Sequence, residues 1–227
     1  MNKTFLSFAC GIFFALAAVV YFSGAALSDD AAGAITALEY RIEHNPGGDS
    51  GYTVLSPVDA LSLKLNDKDM LRSYNGSTAE IKMACGALIQ LAPESEMQIG
   101  LNGVRINKGG AWINYKPKKK DGKISFTVNT PAGAMGIRGT LFAAKFDEKT
   151  GNAFLQVKEG LVEFRQAGTD ETVDVAENQL LTVEKGKPLG TPAAVDASYD
   201  VLTGAARPDR EFENYQNTNP FDRLRKK

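Results

Sequence analysis

The residues that could carry out covalent or metal chemistry are few in this chain. It contains one histidine, His44, and two cysteines, Cys10 and Cys85. A Ser-His-Asp triad would need His44, but no serine lies in a nucleophile-elbow pattern. One histidine and one cysteine outside the apolar N-terminus do not make a zinc-binding pattern either. We therefore predict a protein that is not an enzyme and holds no metal or cofactor, with His44 exposed in a Pro-Gly turn.

Lysines form the most concentrated charge in the sequence. The stretch Lys116–Lys120 contains four of them: Lys116, Lys118, Lys119 and Lys120. Because it lies between two strand-like runs, it is typical of a solvated hairpin loop, and the alternative is a contact for an anionic partner. Trp112 is out of phase with the apolar residues of its run, so we expect it to be exposed and available to extend such a contact.

Arg138 is the other charged residue that stands apart, because Gly136, Ile137 and Gly139 surround it. A guanidinium offers five donors in a planar fork. We expect it to tie backbone carbonyls or a carboxylate together at a corner of the fold. The rival interpretation is an arginine that holds an anionic ligand.

Alternating apolar residues predict that strands carry these groups. Ile124, Phe126 and Val128 share one face of a run, and about a dozen similar runs of four to eight residues follow one another between turns. Leu61–Leu65 is one of these runs. Another is Ala79–Cys85, in which Cys85 falls on the buried side, so we predict that it is a core thiol. The pattern holds no competing helical period, although Ala194–Leu202 could form one helix or wrap as a coil.

The stretch Phe126–Phe164 carries a more specific pattern, V-x-T-P-x-x-x-x-G-x-R-G-T followed by V-x-x-G-x-V. The matching residues are Val128, Thr130, Pro131, Gly136, Arg138, Gly139, Thr140, Val157, Gly160 and Val162. This order and spacing resemble the FecR-domain family, named for the iron-dicitrate signal transducer of Gram-negative envelopes. The resemblance extends over about Gly33–Lys185 and is weak before Asp69.

The resemblance implies a fold and a role for the motif. It favours an all-β, twisted, solenoid-like stack of short strands, with a β-sandwich as the runner-up. It implies structural roles for the motif residues, which are Thr130, Pro131, Gly136, Arg138, Gly139, Thr140 and Gly160. Proteins of the family relay a signal from an outer-membrane receptor to a cytoplasmic sigma factor. Only Met1–Thr4 precede the apolar run here, so we do not expect the anti-sigma activity itself.

The N-terminus carries a targeting signal. Phe5–Leu27 contains no charged residue and is either a cleaved secretory signal or a single membrane anchor. In both cases Lys3 stays inside and the remaining chain is exported to the periplasm. We therefore predict three parts: a signal or anchor over residues 1–28, a FecR-like β-domain over 29–190, and a largely disordered tail over 191–227.

Charge limits the choice of partner. The formal net charge is −1, so the chain has no basic excess with which to grip nucleic acid. We predict a binding or scaffold module for another envelope protein, accessory to envelope signalling. The alternative is a domain that binds a carbohydrate or a cell-wall polymer, which a line of exposed aromatic residues on one face would favour.

Overall fold

The computed structural model describes residues 31–61, 63–116, 126–137, 139–203 and 205–206. The predicted signal or anchor, Lys118, Lys119, Lys120, Arg138 and the chain after Ala206 lie outside these described residues. Within them, no helix combines the length and apolar character needed to cross a membrane.

Short strands make up most of the described chain. Their bounds are β1 (Gly33–Glu39), β2 (Ile42–Asn45), β3 (Thr53–Leu55), β4 (Lys64–Leu65), β5 (Met70–Ser73), β6 (Thr78–Met83), β7 (Leu88–Leu91), β8 (Glu96–Gly100), β9 (Gly103–Tyr115), β10 (Phe126–Thr130), β11 (Gly133–Ile137), β12 (Thr140–Asp147), β13 (Asn152–Glu159), β14 (Leu161–Gln166), β15 (Thr172–Ala176), β16 (Gln179–Val183), β17 (Ala193–Ala194), β18 (Tyr199–Asp200) and β19 (Ala205–Ala206). A 3-10 turn (Pro46–Gly48) and one helix, α1 (Pro57–Leu61), complete the described elements. The predicted all-β class is confirmed.

Seventeen of the strands form one curled sheet with two faces, and β18 pairs separately with β19. Face A runs β4, β1, β6, β7, the second half of β9, β12, β13, β16 and β17. Face B runs β3, β2, β5, β8, the first half of β9, β10, β11, β14 and β15. Successive hairpins alternate between the faces, which gives the predicted twisted stack, and the faces enclose one core as a sandwich does.

The core follows from the period of two. On face A, Ile81, Ile89, Ile113, Phe142 and Val157 lie in register on adjacent strands and are fully buried. The inward residues of face B join the same apolar cluster. Since side chains alternate along a strand, every second residue enters this core and the others face outward.

Both ends of the stack are closed by short segments. Leu61 was predicted in a strand, but it ends α1, whose buried Ala60 covers the first end. The helix starts here because the Ser56 hydroxyl accepts a hydrogen bond from the Asp59 amide at 3.3 Å and Pro57 follows the cap. At the other end Leu189 packs on the core.

The chain crosses between the faces at two opposite edges. Before β10 it crosses mainly at the first edge, where Gly109 (φ 67) bends β9 from face B into face A, while the link from β4 to β5 crosses at the second edge. After β9 it crosses at the second edge, between β11 and β12 and again at Gly160. The change of edge follows from β10, which pairs parallel to β9 through Val128 and Val104, whereas all other described strand pairs are antiparallel.

The connection that contains the lysines is therefore not a hairpin loop, and that prediction is wrong. Hairpin strands are antiparallel neighbours, but β9 ends on face A and β10 begins on face B. The two ends of the connection meet at the second edge, where the rings of Tyr115 and Phe126 stack at 5.3 Å between centroids.

Candidate binding faces

The two halves of the sequence motif meet at the second edge. Gly139 (φ 74) precedes β12, and Gly160 (φ 92) links β13 to β14. A Cβ added at Gly160 would lie 2.7 Å from Thr140 Cγ2 and 2.8 Å from the Gly139 carbonyl oxygen. Gly160 is thus needed both for its backbone angle and for the close approach of the two crossings.

The other motif residues shape the hairpin between β10 and β11. Thr130 pairs with Gly133, and its buried hydroxyl donates to the Gly133 carbonyl at 3.2 Å. Pro131 is the first residue of the two-residue turn, and Gly136 lies opposite Thr127. These contacts are internal to the fold, while the role of Arg138 stays a prediction because that residue lies outside the described part.

The predicted contact residue on β9, Trp112, lies on the outer side of face A. Lys116 directly follows the end of β9, four residues or roughly 13 Å further along the chain. Lys116 Nζ is 3.8 Å from Glu159 Oε1, and both side chains are exposed. Trp112 is half-buried rather than exposed, and its indole Nε1 is shielded from solvent with no acceptor among the described residues.

A segment of the same chain crosses the outer side of face A. We call residues 193–203 the strap. The side chain of Gln156, fully buried on β13, donates from Nε2 to the Tyr199 carbonyl at 2.7 Å. Its Oε1 accepts from the Val201 amide at 2.9 Å. The side-chain amide therefore binds the strap as a neighbouring strand would, with one donor and one acceptor.

Two lysines add further bonds to the strap. Lys158 Nζ donates to the carbonyls of Ala197 and Tyr199, both at 2.7 Å, and Lys145 Nζ donates to that of Val201 at 3.3 Å. Of the two predicted conformations for this segment, the strap has the wrapped coil. The folded chain therefore continues past the predicted domain boundary at residue 190, and it covers β12 and β13.

The outer side of face B carries a cluster of charged residues centred on Arg72, a β5 residue whose side chain is 43% exposed. Register places Glu43 of β2 on one flank and Glu96 of β8 on the other. The Arg72 Nη2–Glu96 Oε2 distance is 2.7 Å, and Nη1 is 3.3 Å from Glu43 Oε2. Two carboxylates thus hold one guanidinium in a fixed orientation.

Tyrosine rings extend this cluster. The Arg72 guanidinium carbon is 3.9 Å from the ring centroid of Tyr52, and that of Arg41 is 4.6 Å from the ring of Tyr74. Tyr74 also donates to Glu43. Burial and the negative charge of Glu96 raise the pKa of Tyr52 above its ordinary value, so the ring stays neutral.

Glu96 has the opposite shift. Burial acts to raise its pKa, but hydrogen bonds from Arg72 and Asn107 and the charge of Arg72 outweigh burial and lower it. The carboxylate is therefore ionised wherever the cluster is formed.

Comparison with known proteins gives a family match for part of the chain. Residues 69–163 match the family model described as FecR protein. This segment carries the FecR domain. The match begins at Asp69, where the sequence resemblance was predicted to become strong, and it contains both crossings of the motif.

The FecR domain also has similar solved structures. Two crystal structures of a "putative anti-sigma factor" from Parabacteroides distasonis, at 2.50 and 1.65 Å resolution, share 18% sequence identity with it. The TM-score is 0.49 for each, over 57% of this chain. The chain spans 61% of the length of these structures. No curated protein matches the chain.

The prediction that His44 is exposed is wrong. His44 forms a buried pair with Asp69, the first residue of the FecR match. That histidine is 6% exposed, and its Nε2 lies 2.9 Å from Asp69 Oδ2. Asp69 also accepts from the amides of Gly47 and Asn66 at 2.9 and 3.0 Å. A Pro-Gly turn does follow His44, but β2 includes the histidine itself, in phase with buried Ile42. The alternation of Ile42 and His44 along one side of the strand is the sequence pattern that predicts this burial.

Cys85 follows the FecR domain's strand β6 and lies in the turn before β7. It is half-buried and packs against the core, and burial raises the pKa of its thiol. Among the described residues, no group of three or more histidine, cysteine or acidic side chains is placed to hold a metal ion.

Proposed function

We propose that this FecR domain is a non-enzymatic binding module of the cell envelope, accessory to signalling, and that it docks another envelope protein on the outer side of face B. The observation that carries the proposal is the difference between the two outer sides. The strap crosses face A and uses its buried glutamine. Within the described chain, no comparable segment crosses face B.

The Arg72 cluster supports docking on face B. Its side chains are already held by ion pairs and ring contacts, so a partner would not have to order them on binding. Preorganised polar groups lower the entropic cost of association and give specificity through complementary charge. A twisted sheet surface of this kind suits a protein partner better than a small molecule, which needs a concave site.

The non-enzymatic part of the proposal rests on His44. The only histidine of the chain is buried and hydrogen-bonded to Asp69, so it is not positioned to act as a base on a bound substrate. The envelope location rests on the uncharged run Phe5–Leu27 between Lys3 and Asp29. We retain the predicted parts 1–28 and 29–190, and we propose to count the strap with the second.

Two matched variants test the docking face. Thr127 and Thr182 are exposed strand residues on the outer sides of face B and face A respectively. Cross-linked capture from intact envelopes, read by mass spectrometry, should lose its main partner with Thr127→Glu and keep it with Thr182→Glu. Loss with Thr182→Glu alone would place the docking surface on face A and contradict the proposal.

The same capture experiment separates the polymer-binding alternative. That alternative needs aligned exposed aromatic rings, but Trp112 and Phe154 are both half-buried and lie two strands apart on face A. Sugar analysis of the captured material is the discriminating measurement. Glycan without an enriched protein would favour the alternative.

A further inference from the structure

We propose that the outer side of face B binds an extended acidic protein segment whose carboxylates stand four residues apart. The inference rests on the proposed function and names the chemistry of the partner. It concerns a line of residues across the strands that we call the arginine row. Its members are Gln98, Arg105, Asn129, Ala134, Arg165 and Thr172.

Strand register aligns the arginine row. Gln98 pairs with Arg105, and Arg105 with Asn129 through the parallel β9–β10 contact. Asn129 pairs with Ala134, Ala134 with Arg165, and Arg165 with Thr172. Because directly paired residues point to the same side of a sheet, these side chains form a line on the outer side.

The two arginines of the row have unused binding capacity. Both are exposed, and in the described chain neither lies within ion-pair distance of a carboxylate. Arg105 Nε donates to Asn107 Oδ1 at 3.2 Å. By contrast, Arg72 on the same side is held by two glutamates. A guanidinium without a carboxylate partner favours a planar anion that can accept two hydrogen bonds, which is the geometry of a carboxylate.

The spacing of the arginines sets the spacing of the acids. Arg105 and Arg165 are three strand intervals apart, roughly 14 Å at about 4.8 Å per interval. An extended chain advances about 3.3 Å per residue, so residues four apart are separated by roughly 13 Å. Four is an even number, so both carboxylates would also point to the same side of the segment.

The row next to the arginines consists mainly of small residues, which add little bulk beside the segment's backbone. Its members are Gly100, Gly103, Thr127 and Gly136, paired in register. Gly103 is itself buried against Thr127, whose carbonyl oxygen would lie 2.3 Å from an added Cβ. The amides of Gln98 and Asn129 in the arginine row could then bond to the segment's main chain.

The same neighbouring row limits how acidic the segment can be. Beyond Gly136 it continues to Glu163 and then to Asp174. These carboxylates repel additional negative charge near Arg165, so a uniformly acidic chain gains little from that end. An anionic lipid surface or polysaccharide presents such uniform charge, and the arginine row contains no aromatic ring on which a sugar could stack. The pattern therefore favours a peptide with two placed acids.

Fluorescence polarisation on the full-length protein tests the inference. The probes are labelled nine-residue Ser/Thr peptides with two glutamates either four or two residues apart, and a glutamine version of the first. We expect the four-residue spacing to bind about tenfold more tightly than either control peptide. Arg105→Gln and Arg165→Gln should each weaken it by about fivefold or more, while the exposed face A variant Lys82→Gln leaves it unchanged.

Several outcomes would overturn the inference. Equal affinity for all three peptides would do so, as would unchanged affinity in both arginine variants with unaltered melting temperatures. Binding of dextran sulfate that depends on the two arginines, without binding of the peptide, would assign the row to an anionic polymer. If no peptide binds while Thr127→Glu still abolishes envelope capture, the inference fails and the proposed function stands. If the peptide binds but the wild-type protein captures no envelope protein, the inference stands and the proposed function fails.

Discussion

Face A and face B have the same alternation of inward apolar and outward polar residues, but their outward groups are occupied differently. On face A, Gln156 is fully buried and bonded to the backbone of the strap. On face B, Arg72 is part-exposed and bonded to side chains of neighbouring strands. The outward side of a strand is therefore not exposed by default, because another part of the same chain can cover it.

The two arrangements also differ in what holds them together. Gln156 makes its hydrogen bonds away from water, where an unpaired amide would be costly. Arg72 makes ion pairs that solvent screens, and exposed pairs of this kind contribute about 1 kcal/mol or less. We therefore expect face A to depend on one buried contact, and face B to lose little from any single change.

The largest effect should follow from Gln156→Ala. The change removes both hydrogen bonds, so the Val201 amide loses its partner under the strap and the Tyr199 carbonyl keeps only its bond from Lys158. We expect a loss of about 2–4 kcal/mol in the free energy of unfolding. Urea denaturation measures the loss, and hydrogen exchange at residues 197–202 should become faster.

Thr182→Ala is the matched control for the strap, because Thr182 is an exposed neighbour on face A. It should change the free energy of unfolding by less than about 0.5 kcal/mol. Slow exchange of the strap amides in Gln156→Ala would contradict the central role of this glutamine and assign the strap to Lys158 and Lys145 instead.

Arg72→Ala should have a smaller effect on the free energy of unfolding. It removes the ring contact with Tyr52 and leaves Glu43 and Glu96 as facing like charges. After allowance for solvent screening we expect a loss of about 1–2 kcal/mol, reduced at high salt. Arg72→Lys should recover part of the loss, and a cost as large as that of Gln156→Ala would remove the contrast between the faces.

Acid should weaken face B selectively. Since the pKa of Glu96 is lowered from about 4.5 in the folded protein, its contribution is present above that value and is lost as pH falls through the folded pKa. The difference in unfolding free energy between wild type and Glu96→Gln, under about 1 kcal/mol at pH 7, should shrink below pH 4. An unchanged difference at pH 3 would show that the carboxylate charge contributes nothing.

Sequence reasoning succeeded where local periodicity decides the structure. Phe126 and Val128 were assigned to one face of their strand, and both are buried. A corner was also expected beside Gly136 and Gly139, and Gly139 lies at the crossing before β12 with a backbone angle that few other residues adopt. Both signals lie within a few residues of one another, so the chain alone reveals them.

The features that were missed depend on distant pairing. Burial of His44 requires Asp69, and the strap requires Gln156, more than forty residues before it. The lysine stretch looked like a hairpin loop because it follows one run and precedes another. Only the parallel pairing of Val104 with Val128 shows that the chain changes edge there. No local pattern encodes such contacts.

The smallest effect is expected at Trp112, which lies at the edge of the part of face A that the strap covers. A Cβ added at Gly110 would meet Leu202 Cδ2 at 2.6 Å, so the strap lies over β9 close to Trp112. Trp112→Phe keeps a ring there and removes the shielded indole N–H that has no acceptor in the described part of the chain. Lost contact area and the removed unpaired donor offset each other, so unfolding free energy should change by less than about 0.5 kcal/mol.

Circular dichroism is the suitable measurement for this variant, because Trp112 is the only tryptophan and its loss removes the fluorescence signal. Envelope capture should also be unchanged, since the proposed docking surface is on face B. A loss above about 1.5 kcal/mol would mean that the indole N–H has a hydrogen-bond partner. Loss of capture with full stability would instead make the outer side of face A a binding surface despite the strap.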